Sequence, residues 1–224
     1  MARQPFLPTY AGVPTRMAPS LIDSMPKVAE LVGRCAINWS GVELQLALAL
    51  GSMLGVGNPA SVAVFLSLRN HRAQRDALRA AADKSLSGGL KDLFDAILRV
   101  HASLDSQRND VVHCVWGAAE GTPDGVIWSS LQDHANMLIT SYHNETTGAL
   151  DGYEEVTRHM TKDYFVYRFS DLELLNSQIT ALATAVSNFH VHLRYRHEPA
   201  GASALKLLRD EPLIQEALNQ IRGT

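Results

Sequence analysis

From Val28 onward, apolar residues recur in alternating steps of four and three: Val28, Val32, Cys35, Trp39, Val42, Leu46, Ala49 and Met53. That period places all eight on one stripe, so it predicts a long helix packed lengthwise against another. Ser24 is positioned to cap this helix, with Pro26 in its first turn. Gly55, Gly57 and the Asn58-Pro59 pair end it and start a second helical stretch that runs to about Lys84, with Asn58 as its cap. Gly88-Gly89 breaks the chain again, after which Leu90, Leu93, Phe94, Ile97 and Leu104 mark a third apolar face. Ser170-Asp171-Leu172-Glu173 has the form of a capping box. It opens a long helix carrying Leu174, Leu175, Ile179, Leu182, Val186, Phe189 and Leu193. Glu198-Pro199-Ala200-Gly201 closes that helix, and a last one is predicted from about Ser203 to Ile221.

Between Gly117 and Phe169 the helical period gives way to glycine, paired Thr146-Thr147 and short β-branched or aromatic runs, notably Met137 to Tyr142 and Tyr164 to Phe169. Two or three short strands are expected there. Ahead of the first helix, Pro5, Pro8, Pro14 and Pro19 interrupt any periodicity, which predicts an extended arm without a core of its own. The fold class is therefore mainly α, in one domain overall. An arm covers 1–23, the first part of an antiparallel helical bundle covers 24–116, a loop and strand insertion covers 117–169, and the remaining bundle helices cover 170–224.

Composition narrows the function classes. With 224 residues, 46% of them hydrophobic, the chain can bury a substantial core. Twenty basic against 23 acidic residues argue against coating nucleic acid through bulk positive charge, so any such contact is local. Cys35 and Cys114 lack Cys-x-x-Cys spacing and read as reduced core thiols. The prolines near the start leave no apolar run of a secretion signal, and the most apolar stretch, Leu44 to Val56, is shorter than a membrane span. A cytoplasmic protein without membrane association is expected.

Candidate chemistry lies on the third apolar face. If the helix continues, the stripe runs through Ile97, His101, Leu104, Arg108, Val111 and Val115, so two ionisable residues occupy seam positions. A charge there is costly unless it is paired, lies at a cleft or awaits an anionic ligand. Asn109 and His113, four apart, share the helical face beside the stripe, and Trp116 lies three further on.

Arg108-Asn109-Asp110-Val111-Val112-His113 resembles the motif of HEPN domains, whose nuclease members carry an arginine, a polar residue, three variable residues and a histidine. The resemblance extends over Lys27 to Val115 and Ser170 to Arg196; the 117–169 insertion departs from a minimal HEPN domain. It implies a HEPN-like bundle and a metal-independent endoribonuclease, needing no cofactor, in which two protomers bring their motifs together. RNA would be the substrate and a homodimer the working form. A toxin or anti-phage defence effector, with an antitoxin or regulatory protein as a further partner, is the setting it suggests. Arg108, Asn109 and His113 are then the catalytic candidates, supported by Glu43, Trp116 and His101. The rival expectation is a non-catalytic helical interaction or nucleotide-binding module.

Other residues weigh less. Glu43, four after Trp39, is placed to orient Arg108, although a solvated flank is the commoner role for glutamate. Arg69, Arg72 and Arg75, with Arg79, follow helical spacing that could track an RNA backbone. Arg72-Asp76 and Arg79-Asp83 pairs on a solvated face are the preferred reading. His190, His192 and His197 diverge on a helix and share no carboxylate at ligand spacing, so no metal site is expected. With Arg194 and Arg196 they complement a helix C-terminus.

Overall fold

A computed structural model describes residues 4–6, 9–55, 59–121, 124–147 and 161–223. Asn58, expected to cap the second helix, and positions 148–160 of the insertion lie outside the described residues. In chain order the elements are β1 (Gln4–Pro5), β2 (Thr15–Met17), α1 (Pro26–Leu54), α2 (Pro59–Ser67), α3 (His71–Ser85), α4 (Gly88–Val112), β3 (Cys114–Ala119), β4 (Gly125–Ser130), α5 (Leu131–Thr147), β5 (Phe165–Arg168), α6 (Phe169–Arg194), α7 (Pro199–Asp210) and α8 (Pro212–Arg222). The chain is mainly α, with a small five-stranded sheet among the described residues.

Local hydrogen bonds explain where these boundaries fall. The Ser24 hydroxyl donates to the Leu21 carbonyl at 2.8 Å and closes a 3-10 turn, so Ser24 does not cap α1. The second helical stretch is two helices, because the Asn70 side chain accepts from the Arg72 N–H at 2.8 Å and starts α3 afresh. The last helix is also two. Pro212 lacks an N–H to continue α7, and the Glu211 carboxylate caps α8 by accepting from the Leu213 N–H. At the start of α6 the Asp171 carboxylate accepts from the Arg168 N–H at 2.9 Å, which is the role expected of Glu173. Glu173 pairs with Lys27 at 3.3 Å.

The chain divides into two compact units, Met1–Arg34 with Gln107–Leu175, and Cys35–Ser106 with Asn176–Thr224. In the first unit an antiparallel sheet has the order β1-β5-β4-β3-β2. Phe6, Ile127, Met137, Tyr164 and Val166 form a core against it, and Trp128 stacks on Tyr167 with centroids 4.9 Å apart. The N-terminal arm thus supplies two strands and the buried Phe6, correcting the expectation of a segment without a core. Met137 to Tyr142, expected as a strand, lies in α5; Phe165–Arg168 is a strand as expected.

The second unit is helical. Of the predicted stripe on α1, Cys35, Trp39, Val42, Leu46, Ala49 and Met53 are all buried, and Phe94 stacks on Phe189 at 4.9 Å. Asn38 bonds Asn176 and Ser52 bonds His190, both 138 residues apart, so α1 and α6 run in the same direction here. His71 meets Asp105 and Asp83 meets Lys91, so α3 and α4 run oppositely. The bundle is therefore not uniformly antiparallel.

Candidate active site at the end of helix α4

Helix α4 ends at Val112, with its last turns pinned by Val111, which is 1% exposed. Arg108 is half-buried, and its Nη1 donates to the Asn109 side-chain oxygen at 2.9 Å. The Asn109 carbonyl accepts from the His113 N–H at 3.0 Å, so one further helical bond carries the turn to His113 although the helix proper has ended. His113 is exposed. Asn109 and His113 are thus linked through the backbone at the helix end, and an arginine, an amide and an imidazole lie within six consecutive positions there.

Beyond His113 the period changes from helix to strand. Trp116 belongs to β3, opposite Trp128, and is buried in the sheet. It therefore does not continue the polar face, and Val115 is likewise a strand residue, because β3 begins directly at Cys114. Burial pushes the Cys114 thiol pKa upward, with the nearby Asp110 charge adding to the effect, so the sulfur is held as a neutral thiol. It donates to the Val111 carbonyl at 3.6 Å. Cys35 and Cys114 are not joined in a disulfide.

The remaining candidates, Glu43, His101, Arg69, Arg72 and Arg75, belong to the second unit. His101 is buried and its ring lies 4.9 Å from that of Trp39. Glu43 is half-buried, accepting from Trp39 Nε1 at 3.2 Å with His71 Nε2 3.7 Å away, rather than standing as a solvated flank. Arg75 is committed to the buried Asp105 at 3.3 Å, whereas Arg69 and Arg72 are exposed. The expected pairs on α3 are exchanged: Arg79 meets Asp76, and Asp83 meets Lys91.

No match to the chain is found among protein-family models, curated proteins or solved structures.

Sequence reasoning missed the cluster of His71 and Asp105, in which the buried carboxylate bonds His71 Nδ1 at 2.9 Å and Arg75 on its other oxygen. A signal existed: Asp105 follows Ile97 and His101 in steps of four, which places an acid on the flank of a buried stripe, where it needs a partner. Among the described residues no group of three or more His, Cys, Asp or Glu is disposed to hold a metal ion, and no helix is long and apolar enough to cross a membrane. His190 bonds Ser52 at 2.9 Å and His192 bonds the Gly201 carbonyl at 3.0 Å, so both rings join helices to one another.

Proposed function

We propose that the chain is a HEPN-type endoribonuclease that cleaves RNA by metal-independent general acid–base chemistry at a site shared by two copies. The observation that carries this reading is the end of helix α4, where Arg108 bonds the Asn109 side chain and the Asn109 carbonyl accepts from the N–H of the exposed His113. A neutral imidazole takes the proton from a 2'-hydroxyl, and the freed oxygen attacks the adjacent phosphorus. The Arg108 fork donates to the phosphoryl oxygens as charge develops on them, and its bond to Asn109 fixes the orientation of that fork. A protonated imidazole returns a proton to the departing 5'-oxygen, leaving a 2',3'-cyclic phosphate and a 5'-hydroxyl. Imidazole suits both steps because its ordinary pKa is near 6.5. One motif supplies one histidine for two transfers, which motivates the homodimer. A toxin or defence role, held in check by an antitoxin, is the setting in which such an enzyme would be useful.

The test is incubation of the purified protein with total RNA in excess EDTA beside an Arg108→Ala control, with product ends read by mass spectrometry. Cyclic phosphate ends from the unaltered protein alone are expected. Activity that requires Mg²⁺ and leaves 5'-phosphates would indicate metal-assisted hydrolysis instead. No cleavage by protein of verified fold would favour the rival reading of a non-catalytic interaction or nucleotide-binding module, in which the bond from Arg108 to Asn109 is structural.

A further inference from the structure

Helices α1, α2 and α3 enclose a cavity of about 550 Å³ within the helical unit. Leu50 of α1 and Ala81 of α3 are buried at its base, whereas Leu54 of α1 and Val64 of α2, 58% and 61% exposed, stand at its rim. The space is open because α3 presents small side chains to it. Ala77, Ala80 and Ala81 fall three and four apart on one side of that helix, so methyl groups alone project from this stretch. Small-molecule sites have volumes of about 300–1,000 Å³, and this cavity falls among them.

The lining limits what such a molecule is made of. Among the described residues the walls hold no aromatic ring, amide side chain or carboxylate, and their polar side chains are Ser61 and Lys84. A nucleotide or a sugar would leave most of its donors and acceptors unbonded here, at a cost for each group. An aliphatic chain carries no such groups and gains from every carbon it removes from water. A protein helix is about 10 Å across with its side chains, so it would rest on the rim and leave the base empty.

Charge selects the head of that chain. Lys84 lies three and four residues beyond Ala81 and Ala80, on the same side of α3, and reaches solvent at the edge of the cavity. Neighbouring cations are committed to carboxylates: Arg75 to Asp105, Arg79 to Asp76, and Lys91 to both Asp83 and Asp95. Asp83, adjacent to Lys84 in the chain, thus turns to Lys91, and Lys84 has no ion pair among the described residues. A lysine in the last turn of α3 also suits the helix dipole, which uses none of its three N–H donors. One ammonium balances one negative charge, so a carboxylate matches it better than a phosphate monoester, which carries nearly two.

We infer that this cavity binds an alkyl carboxylate of the fatty-acid class, its tail lying among α1, α2 and α3 and its carboxylate on Lys84. The inference goes beyond the RNA chemistry proposed above and does not depend on it.

Equilibrium dialysis of the whole protein against decanoate, decanol and decylammonium, which share one tail, tests the tail and the head separately. Each is used below the concentration at which it forms micelles. Decanoate is expected to bind about tenfold more tightly than decylammonium, the difference between attraction and repulsion at an exposed charge. Lys84→Glu is expected to reverse that order. Ala80→Trp, which fills the cavity from an exposed position of α3, is expected to abolish binding of all three. Circular dichroism checks the fold, and Lys84→Glu, altered at the surface, decides the question if Ala80→Trp does not fold. Absence of decanoate binding, equal affinity for the three heads, or tighter binding of decyl phosphate than of decanoate overturns the inference. Decanoate binding that a folded Ala80→Trp leaves intact overturns it too, because the tail then lies elsewhere. A protein that takes up no amphiphile but sediments as an oligomer that Ala80→Trp dissociates would show the cavity filled by another chain instead.

Discussion

Arg108 is tied to Asn109 through its guanidinium whereas His113 reaches solvent, so two alanine substitutions should separate chemistry from folding. His113→Ala is expected to lower RNA cleavage by about 10²–10⁴, the usual contribution of a positioned acid or base. Because an exposed side chain carries little stability, its melting temperature should move by no more than about 2 °C. Arg108→Ala should cost about 10²–10³ in rate and a few degrees, because a half-buried stem is lost with the charge. Cleavage that survives both changes would place the site elsewhere. A different histidine governs the pH dependence of stability. Burial holds the His190 ring below the ordinary imidazole value of 6.5, and the Arg194 charge lowers it further; burial does the same to His134. Above pH 6.5 the folded and unfolded chains both carry these rings neutral, and the stability is fully present. As pH falls from 6.5 through the lower folded values, the unfolded chain takes up protons first, and stability is lost. Urea midpoints measured from pH 7.5 to 5 should fall, and His190→Gln, which can still bond Ser52, should flatten part of that fall.

At the scale of elements, close packing rather than propensity fixes several joints. A Cβ built on Gly201 would lie 2.1 Å from the Tyr195 carbonyl oxygen and 2.5 Å from its carbon. Both are backbone atoms, so the start of α7 must move away from the end of α6. Gly201→Ala is expected to cost about 1–3 kcal/mol in chemical denaturation, while Gly33→Ala, with open space around its Cβ, should not destabilise α1. The same contrast between local and distant causes decides what could be read from the sequence. The stripe from Val28 to Met53 was legible because helical period and burial agree along it except at Val32, where the neighbouring Leu31 is buried instead. Met137 to Tyr142 misled, because a β-prone run hides a helix with two apolar sides, one of them exposed. Phe6 gave no signal, since β1 is two residues long and pairs with β5, far along the chain. Arg108, Asn109 and His113 were legible as a spacing. The end of α4 before His113 was not, for no glycine or proline marks it and the strand that follows is apolar on both faces at Val115 and Trp116. His71 and Asp105, 34 residues apart on separate helices, meet only in the fold.

For the whole molecule, a net charge of −3 means that under the proposed reading RNA would be held by few phosphate contacts, with recognition and cleavage concentrated where arginine and histidine coincide. That condition bears on assembly, because a reaction with one base and one acid needs two proton-transferring groups, and each motif offers the single histidine His113. In the proposed two-fold homodimer, with both motifs facing one cleft, the second histidine would come from the other copy. The decisive experiment mixes Arg108→Ala chains with His113→Ala chains after each has been shown inactive alone. In the heterodimer one copy retains its arginine and the other its histidine, so a shared cleft again contains one of each. Partial activity is expected, limited by the missing second histidine. If each chain held a complete site of its own, neither copy in the heterodimer would carry an intact pair and mixing would restore nothing. Differently tagged chains must be recovered together before the assay, since homodimers that fail to exchange would also be silent. Verified heterodimers no more active than either parent would rule out the composite site.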